Sequence, residues 1–243
     1  MLGGRRMMRM VFSLVLIFAA SLVQAQAIQA VTEDTAYTYL ERGRVSGPAT
    51  QHVRAALTRA GFSDMQIDLY PWARAYAMAS SQPNVLIYLI ARTPEREAQF
   101  KWVGELMRIE YHLYKLAARQ DIKADNLEAA RRHSIGVMRQ DVRQQYLQKK
   151  GFEHLVVSAS NDANFQKLLA GRIDLIPLPR ADAALLCAKF NVDCSTLASV
   201  LTLDELTVGL YMAFSRSTDD RVVERLQQAY TSLRVEGALT PLE

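Results

Sequence analysis

Cysteine is nearly absent from this 243-residue chain, glycine and proline are sparse at 11 and 7, and the four histidines stand alone. His52, His112, His133 and His154 have no metal-ligand spacing with one another, and two thiols with no histidine nearby make a poor zinc site, so no metal or cofactor is expected. No G-x-S-x-G elbow, P-loop or glycine-rich dinucleotide turn occurs, which removes the commonest hydrolase and nucleotide-binding readings. Glu33 and Asp34 are adjacent acids, but neighbours on an extended strand point to opposite faces, which argues against a two-carboxylate catalytic pair. A non-enzyme is therefore expected. Apart from the N-terminus no apolar run is long enough to span a membrane, and no linker rich in Gly, Pro or Ser separates units.

The N-terminus has the three-part order of a secretory signal. Arg5, Arg6 and Arg9 precede an apolar run from Met10 to Val23 that is well short of a bilayer span, and Val23-Gln24-Ala25 suits a signal peptidase. Residues 1–25 are read as a signal peptide cleaved after Ala25, with the bonds after Ala27 and Ala30 as weaker alternatives. No cysteine near the junction offers a lipid anchor. Cleavage would remove three Arg and no acid, leaving 26 basic against 25 acidic residues. The basicity is thus mostly the export signal, and a nucleic-acid partner is not expected. In an oxidising compartment the even pair Cys187 and Cys194 reads as a local disulfide, with two separately buried thiols as the alternative.

Periodicity predicts βαβ alternation: a strand near Ile28–Val31, a helix through Val53–Ala60 stopped by Gly61, a strand over Met65–Tyr70, a helix over Trp72–Ser80 and a fully apolar strand over Asn84–Ile90. A second round runs through Asn126–Arg131, Ser134–Val137, Asp141–Lys150, Leu155–Val157, Asn161–Ala170 and Asp174–Leu178, alternately helix and strand. Strand Thr207–Phe214 and helix Asp219–Val235 follow. The expectation is an α/β protein of two units with parallel strands. The first unit covers 26–115 and a C-terminal return over 212–243, the second covers 116–211, and the two crossings fall near Tyr114–Ala117 and Gly209–Ser215.

Five segments in order, Thr32–Gly47 (TEDTAYTYLERGRVSG), Tyr70–Ala75 (YPWARA), Ala91–Gly104 (ARTPEREAQFKWVG), Ile135–Asp141 (IGVMRQD) and Leu168–Pro177 (LLAGRIDLIP), carry a resemblance. The mature chain resembles bacterial extracellular solute-binding protein family 3, the periplasmic binding proteins of polar amino acid uptake by ABC-type transporters. The resemblance implies a type II periplasmic-binding-protein fold, two α/β lobes joined by a two-strand hinge and closing on a small-molecule solute as a monomer. It makes Arg96 of the T-x-x-R turn the clamp for a ligand carboxylate, the alternative being pairing with Glu95, Glu97 or the strand end.

Other candidates for the cleft are Tyr37 and Tyr39 on the stacking loop, Trp72 and Arg74 where strand meets helix, Tyr88, Arg139, and Asp141, which also suits the N-cap of its helix. The sequence departs from the family's pattern in two places. Tyr88, Leu89 and Ala91 stand where small hydroxyl residues are common, and Pro179-Arg180 stand where an acid for the ligand's ammonium is expected, with Asp182 a substitute only if the turn is displaced. The solute is accordingly expected to be anionic or amino-acid-like. The protein's partner would be a membrane permease, or a receptor if it is a sensor; an enzyme on the same scaffold is the third reading.

Overall fold

A computed structural model describes residues 27–242; the expected signal peptide and its expected cleavage after Ala25 lie outside the described residues. In chain order the elements are β1 (Ile28–Thr32), β2 (Tyr39–Glu41), β3 (Arg44–Ser46), α1 (Pro48–Arg59), β4 (Met65–Leu69), α2 (Trp72–Ser81), β5 (Val85–Ala91), α3 (Pro94–Glu97), β6 (Phe100–Ile109) and β7 (His112–Leu116). They continue with α4 (Leu127–Ala130), β8 (Ile135–Met138), α5 (Val142–Lys149), β9 (Leu155–Ser158), α6 (Asn161–Leu169), β10 (Ile176–Leu178), α7 (Arg180–Lys189), β11 (Leu197–Thr202), β12 (Val208–Ser215) and α8 (Asp220–Val235).

The first sheet has the order β4-β1-β5-β12-β6, with β1 parallel to both β4 and β5 and β12 antiparallel to both β5 and β6. β5 is buried at all seven positions, as a central strand covered on both faces must be. Helices α1 and α8 pack together on one side, where Val53, Ala56 and Leu57 join Val222, Val223, Leu226 and Tyr230 in one core, and α2 covers the other side through Trp72, Ala75 and Ala79. In the second unit β7 pairs antiparallel with β10 and β11, and β8 pairs parallel with β9. A parallel bridge from Ile135 to Leu175 ties these two small sheets together. Cys187 on α7 and Cys194 in the following 3-10 turn form a disulfide with their Cα atoms 5.4 Å apart.

The chain leaves the first sheet at Ile109 and enters the second at His112, and it returns at Val208. Both crossings lie upstream of the expected positions, because β7 pairs with β10 and β11 and belongs wholly to the second unit. The polar stretch 32–48, read from sequence as a loop, contains the β2–β3 hairpin. Gly47 ends that segment at φ +107, and a Cβ there would meet the Tyr37 carbonyl oxygen at 2.5 Å, so only glycine fits between α1 and the loop carrying Tyr37.

Candidate functional site

The two units meet along the C-terminal ends of β1 and β5 and the N-terminal turns of α5, α6 and α7. Five polar contacts cross directly. The Gln140 carbonyl accepts from Trp72 Nε1 at 3.1 Å and from Arg96 Nη2 at 3.0 Å. The Ala36 amide donates to Asp182 Oδ1 at 3.0 Å, and Lys189 with Asp34 and Lys149 with Glu95 form exposed ion pairs at 3.0 and 3.5 Å.

Between these contacts lies a cavity of about 290 Å³, bounded by Glu33 and Asp34 after β1, Tyr70 to Trp72 at the start of α2, Ser160 to Asp162 at the start of α6, and Asp182, Leu185 and Leu186 on α7. Among the described residues no Lys or Arg lines it, although Lys189 pairs with two of its wall acids, Asp34 and Asp162. A smaller interior space of about 30 Å³ shares Glu33, Thr35, Asn161 and Asp182 with it, and is closed by Tyr37, Leu89, Tyr111 and Arg143. Leu89 reaches this position through a local irregularity. It sits at φ +60 where the pairing of β5 with β12 shifts register, a bulge that turns an otherwise buried strand residue toward the inter-unit space.

The electrostatics of this space are acidic. Burial pushes Glu33 up to about 8, against the pull of the Arg143 guanidinium, and the nearby Asp141, Asp182 and Asp34 carboxylates raise it further. Glu33 accepts no hydrogen bond and forms no salt bridge among the described residues. Asp182 is also raised by burial, while its bond from Ala36 and the nearby Arg143 pull it down. Arg143 is itself committed: its guanidinium holds both oxygens of Asp141, with Nη2 to Oδ2 at 3.1 Å, donates to the Pro177 carbonyl at 3.0 Å, and stacks on Tyr111 at 5.3 Å.

The structure separates the sequence candidates into groups. Trp72 lines the larger cavity and Tyr37 the smaller one. Arg96 is fully buried, faces the rings of Trp72 and Tyr76, and spends Nη1 on the Ala91 carbonyl and Nη2 on Gln140, with no acid paired to it. The alternative of pairing with Glu95 or Glu97 does not occur; Glu97 pairs with Arg92. Asp141 takes the N-cap role, accepting from the Arg143 amide at 2.8 Å. Tyr88 belongs to the core of the first unit, enclosed completely, with its hydroxyl bonded to Thr38 and Thr50, and it lines neither cavity. Tyr39 lies on the hairpin, Arg74 is exposed and stacked on Tyr70 at 4.4 Å, and Arg139 is exposed; none of the three lines either cavity.

Two acids with only a conditional or a negative role in the sequence reading line the cavity. Asp182, named as a substitute should the turn be displaced, does so as the third residue of α7, which begins at Arg180. Glu33 lies just past the end of β1, so strand alternation does not govern where its side chain points.

No family model matches the chain, and no curated protein matches it. Solved structures do. A histidine kinase sensor domain with similarity to periplasmic binding proteins superposes with a TM-score of 0.78 at 16% identity, covering 88% of this chain and 92% of that one. The fold is that of the periplasmic binding proteins. A mutant of the arginine-binding protein ArgBP from T. maritima gives 0.74 at 15% identity over 88% and 91% of the two chains. The arginine-, lysine-, histidine-binding protein ArtJ from Geobacillus stearothermophilus gives 0.73 at 16% identity over 88% and 92%. The two units are therefore the two lobes of this fold, and the cavities lie in its interlobe cleft.

Proposed function

We propose that this chain is an exported solute-binding protein that captures a small solute bearing a positive charge in its interlobe cleft and delivers it to an ABC-type transporter. The observation that carries this reading is the cavity of about 290 Å³ walled by both lobes, with Glu33, Asp34 and Asp182 on its wall and Trp72 beside them. An acid pair held away from water, of which burial keeps Glu33 protonated, gains most from a cation that lets the proton leave, because opposite charges attract more strongly where the dielectric is low. Of the expectation of an anionic or amino-acid-like solute, this disfavours the anionic half. Trp72 and Tyr70 supply flat faces that suit a cation or an aliphatic chain. The contacts across the cleft, Ala36 to Asp182 and both Trp72 and Arg96 to Gln140, suit hinge closure around a guest.

Export rests on the N-terminal segment, and the solved relatives with this fold include transporter-linked amino-acid binders. The likeness to a sensor kinase domain supports the second reading, in which the same closure signals to a receptor. A thermal-shift screen of small cations, followed by titration calorimetry on wild type and Asp182→Asn, tests the binding. Deleting the gene then separates the two readings: loss of labelled-solute uptake marks the transporter, and unaltered uptake with a lost transcriptional response marks the sensor.

A further inference from the structure

We propose that the cleft selects a small organic amine or guanidine that carries no carboxylate, in preference to the corresponding amino acid. This rests on the reading of the cleft as the solute site.

A zwitterionic amino acid needs two partners at once, an acid for its cationic end and a guanidinium or free helix N–H groups for its carboxylate. The first is present: Glu33 and Asp182 face the space from opposite lobes, and Glu33 has no hydrogen-bonding partner of its own among the described residues. The second is consumed by the protein. Arg96 directs one N–H of Nη1 to Ala91 and one of Nη2 to Gln140, and the side chain, its unpartnered Nε included, is buried and lines neither cavity. The α5 N-terminus is capped by Asp141, and the same carboxylate takes the Arg143 guanidinium. The α6 N-terminus is capped by Ser160, whose hydroxyl accepts from Ala163 at 3.2 Å. A carboxylate entering this space meets Glu33 and Asp182, while the nearby cations are already engaged: Lys189 bridges Asp34 and Asp162, and Arg143 holds Asp141.

The shape agrees with the charge. The 30 Å³ end of the site is closed by Tyr111, Leu89 and Arg143, whose charge Asp141 takes up, and is bordered by the two acids, which is room for one ammonium-sized group. The larger part presents Leu69, Tyr70, Trp72 and Leu185, surfaces for a chain or a ring. Two counter-features border the space: the first turn of α2, entered through Pro71, and that of α7, entered through Pro179, have no side-chain cap.

The test is calorimetric titration of the mature protein with matched pairs that differ only in the α-carboxylate: agmatine and arginine, cadaverine and lysine, tyramine and tyrosine. In at least one pair the amine is expected to bind tighter than its parent by about tenfold or more, and Asp182→Asn to weaken that amine by a similar factor, since truncating a buried charged partner acts at this scale. Glu33→Gln serves as the second variant if Asp182→Asn melts early. A parent amino acid that binds as well as or better than its amine overturns the proposal while leaving the cleft reading intact; an uncapped first turn, of α2 or of α7, would then be the carboxylate's partner. No heat with any pair also overturns it. A wider solute screen then decides the cleft reading separately, which survives if some other solute binds wild type and is weakened in Asp182→Asn.

Discussion

Replacing Glu33 by Gln removes a carboxyl that folding holds protonated, and the consequence is a change in how stability depends on pH. In the unfolded chain Glu33 titrates near its ordinary 4.5, whereas in the folded protein burial raises it to about 8. Between those values the folded state keeps a proton that the unfolded state has released, so stability from this group is complete below pH 4.5 and is lost as pH rises toward 8. At about 1.36 kcal/mol per pH unit the full span sets a ceiling of roughly 5 kcal/mol. Part of the Glu33 side chain remains open to the cleft, so water screens it and ~2 kcal/mol is the working figure. In a protein of this length that corresponds to about 4–8 °C in melting temperature. Thermal melts at intervals from about pH 5 to pH 8.5, on wild type and Glu33→Gln, read it directly. The wild-type curve should fall with pH, with Asp182 adding to the fall because its pKa is raised in the same sense. The Gln variant should fall less by about 4–8 °C and be the more stable protein at the alkaline end. Parallel curves would refute the reasoning.

Arg96→Ala is expected to cost about 2 kcal/mol of stability, from the charge-assisted bond to Gln140, while changing affinity for a cationic solute by less than about twofold; paired melts and titrations check both numbers. Tyr88→Phe should lower stability by about 1–2 kcal/mol, because Thr38 and Thr50 lose a buried partner, and should leave affinity unchanged by calorimetry. Reducing the Cys187–Cys194 bridge should cost about 2.5 kcal/mol, the chain-entropy value for so short a loop, read from denaturation midpoints with and without reductant. Gly47→Ala should destabilise by more than about 1 kcal/mol, since it adds a Cβ against Tyr37 at a positive φ; chemical denaturation measures it.

The regular parts of the fold were legible in the sequence for physical reasons that particular elements show. β5 announces itself as seven consecutive apolar residues because it is buried on both faces, and α8 shows its core stripe at Val222, Val223, Leu226 and Ala229 because one side faces solvent. β6 was not legible. It is an edge strand whose register against β12 shifts twice, which scrambles the two-residue alternation, and Lys101, Gly104, Glu105 and Arg108 interrupt its apolar residues. β7 and β11 hid likewise inside a stretch whose pairing is wholly antiparallel and non-local. Trp72, named where strand meets helix, and Tyr37, named on the stacking loop that the resemblance implies, each line a cavity. Glu33 and Asp182 were named but not assigned together, because their juxtaposition arises from two lobes meeting and has no local signature. Arg96 shows the converse, a motif residue whose guanidinium is spent on backbone carbonyls of both lobes.

The most direct test of the central claim is native mass spectrometry of protein taken from its own cells. A small cationic adduct retained by wild type and lost from Asp182→Asn is the predicted result, since the lost charge lies on the cavity wall and the Asn amide oxygen still accepts from Ala36. An anionic adduct, or one held equally by the Asn variant, would contradict the account.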